Sequence, residues 1–249
     1  MSQIESPQNP RLKAVRHLHS KRGRARSASF LAEGEDLIAA AQRAGRPVVE
    51  GYRLAGSGLG ASDFHDVEHG ALASASTLGS STRVMAVYEQ RWGIAVGPLC
   101  VYLHRVGDPG NVGAVLRSAQ AFGASCVALG PGCADPHGPK AVRASMGAIF
   151  SVSLAHVNDL SELPGELIAL AADAPEPLHG PLYDSAVTLL VGAEREGLPD
   201  TIIAACDRAA RIPIASDSLN AAMAATVALY EMTRRADRAP ARPNDTVPA

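Results

Sequence analysis

The chain predicts an α/β protein whose larger part is a parallel sheet covered by helices, preceded by a smaller α+β region. Three observations carry this. From Leu99 onward, short apolar runs alternate with stretches of helical periodicity, the order that builds strand–helix–strand units with helices on both faces. Ahead of that point two helical stretches are followed by two strand-like runs. Between the two regions lies "QRWGIAVGP", Gln90–Pro98, where Gly and Pro interrupt every pattern and a domain boundary is expected.

Taken in order, Leu12, Val15 and Leu18 recur at helical spacing with basic residues between them. "KRGRARSAS" reads as a polar break, and "FLAEG" leads into a helix with Leu37, Ile38 and Ala41 on its apolar face. "PVVEGYRLAG" and "TRVMAVYEQ" read as strands around a Gly/Ser/Ala-rich loop. After the boundary, strands are expected at Leu99–His104, Cys126–Leu129, Leu167–Ala172, Thr188–Gly192 and Arg211–Ile214. Helices are expected at 111–123, 139–149 and 199–206, with a last one from Leu219 to about Arg235. The Pro-rich, polar end has a disordered composition. The expected division is therefore 1–92, 97–236 and a tail of 237–249.

Of the 249 residues, 47% are apolar and 19% charged, an ordinary globular balance, and no apolar run approaches the ~20 residues that span a bilayer. Cys100, Cys126, Cys133 and Cys206 form no C-x-x-C pair, so neither a disulfide framework nor a zinc site is expected. The first residues lack the charged-then-apolar order of a secretory signal, and a reduced cytoplasmic setting follows. The formal net charge is −2, yet residues 1–30 hold seven basic residues and one acid, a local +6 that leaves −8 elsewhere. Arg11, Lys13, Arg16, Arg22, Arg24 and Arg26 of that cluster are candidate contacts to an anionic partner.

Three motifs stand out. In "DPGNVGAVLRSAQAFGA" (Asp108–Ala124), Asn111 is placed to cap a helix, Val112, Val115, Leu116 and Ala119 form its buried stripe, and Gly123 is placed to stop it. Arg117 follows Gly113 and Ala114 by four and three residues, so its helical neighbours are small and leave room beside it. "LLVGAEREGLP" ends an apolar strand in Gly192, Glu194 and Gly197, where open α/β sheets bind ligands. "RIPIASDSLNAAMAATVALYE" passes from a strand through a polar loop to an Ala-rich helix, with Ser218 and Asn220 at its start.

The order N-x5-R, then G-x-E-x-x-G, then IP…SLN, together with "KAVRASMGAIF" (Lys140–Phe150), resembles the SpoU–TrmH family of RNA ribose 2′-O-methyltransferases over residues 99–235. "NPRLKAVRHLHS…FLAEGEDLI" is similar to the RNA-binding extension of its ribosomal-RNA members. The resemblance implies a SPOUT-type sheet with a C-terminal trefoil knot, a homodimer, and S-adenosylmethionine as cofactor. It implies that Gly192, Ile212 and Leu219 contact the cofactor and that Asn111, Arg117, Glu194, Ser218 and Asn220 form the polar active site, with no metal. The loop "IASD" before Ser218 is about two residues shorter than in ribosomal-RNA members of the family.

Arg117 is the expected catalytic residue. A guanidinium with a pKa above ~12 is a poor base, so it either stabilises a developing alkoxide or holds an RNA phosphate that takes the proton. The substrate implied is RNA, 23S ribosomal RNA first, with transfer RNA as the alternative. A catalytically silent RNA-binding protein of the same fold is a second class, opposed by the presence of all five polar positions. A nicotinamide dehydrogenase is opposed by the missing G-x-G-x-x-G fingerprint.

Overall fold

In the computed structural model, residues 3–179, 186–216 and 218–234 are described. The strongest expectation is met. Six strands, β5 (Leu99–Leu103), β6 (Cys126–Leu129), β7 (Ser153–His156), β8 (Glu166–Leu170), β9 (Val187–Val191) and β10 (Arg208–Ala210), form one sheet in the order β10-β8-β9-β5-β6-β7. Every pairing in it is parallel. The central strands read as continuous apolar runs because both faces are covered. Helices α5 (Pro109–Ala121) and α8 (Ala221–Arg234) pack on one face around Val101, Leu103, Leu116, Leu189 and Leu229. The other face buries Cys100, Tyr102, Cys126 and Leu190. Chain order runs β5-β6-β7 outward and then returns to the far side for β8 to β10, so the order reverses beside β5 and β9.

Several boundaries move. The last strand is Arg208–Ala210, three residues before the expected Arg211–Ile214. Pro213 cannot donate to a ladder, and Arg211 instead makes a single bridge to Pro177. The helix expected over 139–149 ends at Ala144 as α6 (Pro139–Ala144), because Met146 and Gly147 take positive φ. The strand β7 was not expected, since its exposed Ser153 and His156 hide its two buried residues. The expected tail at 237–249 lies outside the described residues.

Ahead of the larger sheet stand α1 (Pro10–His17), α2 (Lys21–Ser27), β1 (Ser29–Glu33), α3 (Glu35–Arg43), β2 (Glu50–Leu54), β3 (His65–Val67), α4 (His69–Ala75) and β4 (Val84–Glu89). The strands form a mixed sheet in the order β1-β4-β2-β3. "KRGRARS" is therefore helix rather than break: Ser20 caps it at the Gly23 amide, and buried Arg24 fastens it. The loop-rich stretch after β2 also hides β3 and α4, the first too short to read from sequence and the second diluted by Gly and Ser.

One face of the smaller sheet, with Leu31, Tyr52 and Met85, packs on α1 and α4. The opposite face packs on the larger unit, and the two share one core. Phe30 of β1 and Tyr88 of β4 meet the Phe150 ring at centroid distances of 5.8 and 4.8 Å. Phe30 also meets His137 at 4.9 Å, and Trp92 stacks on His156 at 3.6 Å.

Candidate active site

Helix α5 begins earlier than expected, and Asp108 caps it instead of Asn111. The Asp108 carboxylate accepts from the Asn111 amide at 3.0 Å, and Pro109 occupies the first turn, where a missing N–H costs nothing. Asn111 is thereby released from capping, and its side chain turns toward the end of β9. Lys140 of α6 pairs with the same Asp108 at 2.7 Å.

A polar relay joins three of the expected residues, 83 and 109 positions apart. Asn220 accepts from the Ala222 and Met223 amides at 2.9 and 3.3 Å, so it, and not Ser218, caps α8. That fixes its orientation: Oδ1 faces the helix and Nδ2 is left to donate to Asn111 Oδ1, at 3.0 Å. Asn111 must then present its own Nδ2, which donates to Glu194 Oε1 at 2.6 Å. Three elements thus hold one half-buried carboxylate.

Glu194 lines a cleft of about 810 Å³ at the C-terminal ends of β8, β9 and β10. The cleft lies outside the carboxyl ends of parallel strands, near the reversal of strand order, where such folds bind ligands. All three expected cofactor residues, Gly192, Ile212 and Leu219, line it, as does exposed Ser218. Gly192 has a structural reason as well: a Cβ there would overlap the Gly197 backbone, which returns to pair with Ala193 at 3.0 and 3.2 Å. The walls combine apolar Leu170, Val191 and Ile212 with the carboxylates of Asp173, Glu194 and Asp200. The volume falls within the ~300–1,000 Å³ of small-molecule sites, and apolar walls with these carboxylates and the guanidiniums of Arg195 and Arg211 suit a ligand with an apolar part and charges of both signs. Sequence reasoning missed Ala171–Asp173, which line the cleft from the end of β8; their signal was position at a strand end, not residue type.

Arg117 stands apart. It is exposed, six residues along α5 from Asn111 and on another side of the helix, and makes no hydrogen bond or ion pair among the described residues. Glu194 therefore orients Asn111 and not Arg117. The clearing expected beside Arg117 is only partly open. Gly113 is small because α6 lies against it, with Ala144 Cβ 2.6 Å from where a Cβ would stand. Ala114 remains half-exposed.

In the basic cluster, Lys13, Arg22 and Arg26 are exposed. Arg24 is not a surface cation. It is 4% exposed, bonds Asp135 at 2.7 Å, and donates to the Leu18 and His19 carbonyls. Arg11 pairs with Glu50, and Arg16 donates to the Pro7 carbonyl at 2.7 Å. Among the described residues no group of His, Cys, Asp and Glu is set to hold a metal ion, and no helix is long and apolar enough to cross a membrane.

The SpoU rRNA Methylase family matches residues 98–230, and the MRM3-like substrate binding domain matches residues 9–86. A 23S rRNA (guanosine-2′-O)-methyltransferase of Bacillus subtilis is 26% identical over 93% of this chain and 99% of that relative. An rRNA methyltransferase of Sinorhizobium meliloti with bound S-adenosylmethionine superposes with a TM-score of 0.79, at 30% identity over 94% of this chain and 98% of that one. A SpoU methyltransferase of Streptomyces viridochromogenes, in complex with S-adenosylmethionine, gives a TM-score of 0.81 at 27% identity, covering 94% of this chain and 100% of that one.

Proposed function

The chain belongs to the SpoU rRNA methylase family of S-adenosylmethionine-dependent RNA 2′-O-methyltransferases, and on that premise we propose that its target is a ribose 2′-hydroxyl of 23S ribosomal RNA. The observation that carries this reading is the relay Asn220–Asn111–Glu194 at the edge of the cleft. A carboxylate held by one amide, itself fixed by a second, and facing a cleft suits the orientation of a hydroxyl.

Val191, Ile212 and Leu219 form the apolar wall that would hold the cofactor, with the backbone at Gly192 beside them. When bound, S-adenosylmethionine supplies an electrophilic methyl group. The protein's own task is to orient the ribose oxygen and to weaken its proton. Glu194 accepts a hydrogen bond from that hydroxyl, and Asn111 keeps the carboxylate from rotating away. Arg117, without a partner among the described residues, pairs with the negative charge that develops on the oxygen or its adjoining phosphate. Ser218 contributes a hydroxyl at the cleft mouth.

The same proposal assigns residues 1–92 to RNA binding, through Lys13, Arg22 and Arg26 with Arg11 and Arg16 beside them, and residues 97–236 to catalysis. It includes a trefoil knot around the segment that follows β10, a homodimer, and a cytoplasmic setting with its RNA. The dimer is supported by an uncovered apolar stripe on α8: Met223, Val227 and Tyr230 are 56, 41 and 49% exposed at i, i+4 and i+7. Leu219, expected to begin that helix, lies before it and lines the cleft.

Purified protein with labelled S-adenosylmethionine and unmodified 23S rRNA transcript should place the label in an alkali-resistant dinucleotide, the mark of 2′-O-methylation. Tight binding of both ligands with no transfer would instead establish a silent RNA-binding protein.

A further inference from the structure

Arg105, directly after β5, belongs to neither the relay nor the cleft wall. Its φ is +56°, a left-handed conformation that it shares, among non-glycine residues described, with Ala28 and Met146. Ala28 ends α2, and Met146 precedes the turn at Gly147 where α6 has finished. At 105 the backbone is pinned from both sides. The Arg105 amide donates to the Pro131 carbonyl at 3.1 Å, and the preceding His104 amide to Val191 at 2.9 Å. The side-chain stem lies over Gly132, with Cγ 3.0 Å from where a Cβ would stand. Glycine adopts this conformation freely, and asparagine tolerates it; arginine does so at a conformational cost. Residues held at such a cost gather at functional sites.

The tip, by contrast, is uncommitted. The side chain is 59% exposed, and among the described residues its ion-pair contact is Glu196 at 4.0 Å, itself 77% exposed, too long and too wet a pair to hold either partner. Two other cations near the ends of the parallel strands are occupied: Lys140 by Asp108, and Arg211 by the Ala174 and Pro175 carbonyls. Arg195, on the turn with Glu196, is exposed beside it but lacks the pinned backbone. Arg105 precedes Asn111 by six residues, and Glu196 follows Glu194 by two. The approach to Glu196 therefore brings the guanidinium to the turn that carries Glu194.

We infer that Arg105 is a positioning residue that grips an RNA phosphodiester flanking the target ribose, an inference that rests on the RNA methyltransferase reading. A rigid base and a free planar fork suit bidentate capture of a phosphate. Contact with Glu196 is exchanged for the phosphate when RNA arrives.

The test uses Arg105→Gly and Arg105→Asn in the full chain, both compatible with the left-handed backbone. The melting temperature should hold or rise, and the Kd for S-adenosylmethionine should not change. The KM for 23S rRNA transcript should rise about tenfold with kcat within about twofold, the loss expected for one charge-assisted contact. The slope of log K against log salt for transcript binding should shrink by roughly 0.7–0.9, one phosphate fewer. Arg105→Lys should recover part of the affinity. Unchanged RNA affinity and salt slope would overturn the inference, as would a weakened Kd for S-adenosylmethionine with normal RNA binding, which would assign Arg105 to the cofactor. Filter retention reads RNA affinity directly, so the inference is decided even if no methyl is transferred, an outcome that would fail the functional reading alone.

Discussion

At the scale of single residues, the orientation of Asn111 follows from hydrogen-bond bookkeeping. The amides of α8 take Asn220 Oδ1, which leaves one way for each amide to face and delivers an N–H to Glu194. Asn111, Glu194 and Asn220 were legible as a set because their motif order is distinctive, while their mutual contact was not, since it spans 109 residues. Nor could a charge count tell that Arg24 would be consumed inside the fold by Asp135, 111 positions away. Arg117 has the opposite character, an exposed cation with no hydrogen bond or ion pair among the described residues. Arg117→Ala should lower kcat by about 10²–10³ with cofactor affinity and melting temperature unchanged, the scale of losing one transition-state donor. Arg117→Lys should be nearly as damaging, since an ammonium lacks the planar fork. Near-normal turnover by Arg117→Lys, measured as methyl transfer to 23S rRNA transcript, would leave Arg117 as a general positive charge and move hydroxyl activation to Glu194.

At the scale of elements, α5 and α8 run parallel, joined at Asn111–Asn220, at Ser118–Thr226 (2.6 Å) and at the edge-on rings of Phe122 and Tyr230 (6.1 Å). Their periodicity made both helices readable, whereas α2 and β3 were hidden by polarity and brevity. Matched contacts along the seam bring the start of both helices to one place, and this is how a helix cap becomes part of a site. The outer face of α8 remains uncovered, with Met223, Val227 and Tyr230 at helical spacing. Val227→Asp, at a position already 41% exposed, should leave the fold intact but place a charge in the proposed dimer interface. Light scattering at micromolar concentration should report a dimer for the natural chain and a monomer for the variant. A monomer in both, or a dimer in both, would remove α8 from the account.

At the scale of the whole molecule, the smaller sheet is an integral layer. The gap between β4 and β5 was legible from Gly and Pro at 90–98, but the core shared with Phe150 and Val142 was not, because core membership depends on tertiary packing. His137 lies in that seam, 2% exposed, its Nδ1 making no hydrogen bond and standing 3.8 Å from Asp135 Oδ1. Burial depresses its pKa from an ordinary 6.5 to about 4; Asp135 opposes this, and Arg24, Arg46 and His156 reinforce it. A folded pKa below the unfolded one means that the unfolded chain binds the extra proton. Stability from this group is therefore complete above about pH 6.5 and is lost as pH falls toward 4, by about 2 kcal/mol between pH 7 and 5. Denaturant titrations should show this fall, and His137→Gln should flatten it; parallel falls in both proteins would clear His137 of the role. What the seam positions is a catalytic unit, and its proposed target can be read from cellular RNA. The most direct measurement is a map of 2′-O-methylated nucleotides across ribosomal RNA from cells with and without this chain. The account predicts one site in 23S rRNA that vanishes on deletion, returns with the natural chain and stays absent with Arg117→Ala. A 23S map unchanged by deletion, or a lost site confined to transfer RNA, would contradict it.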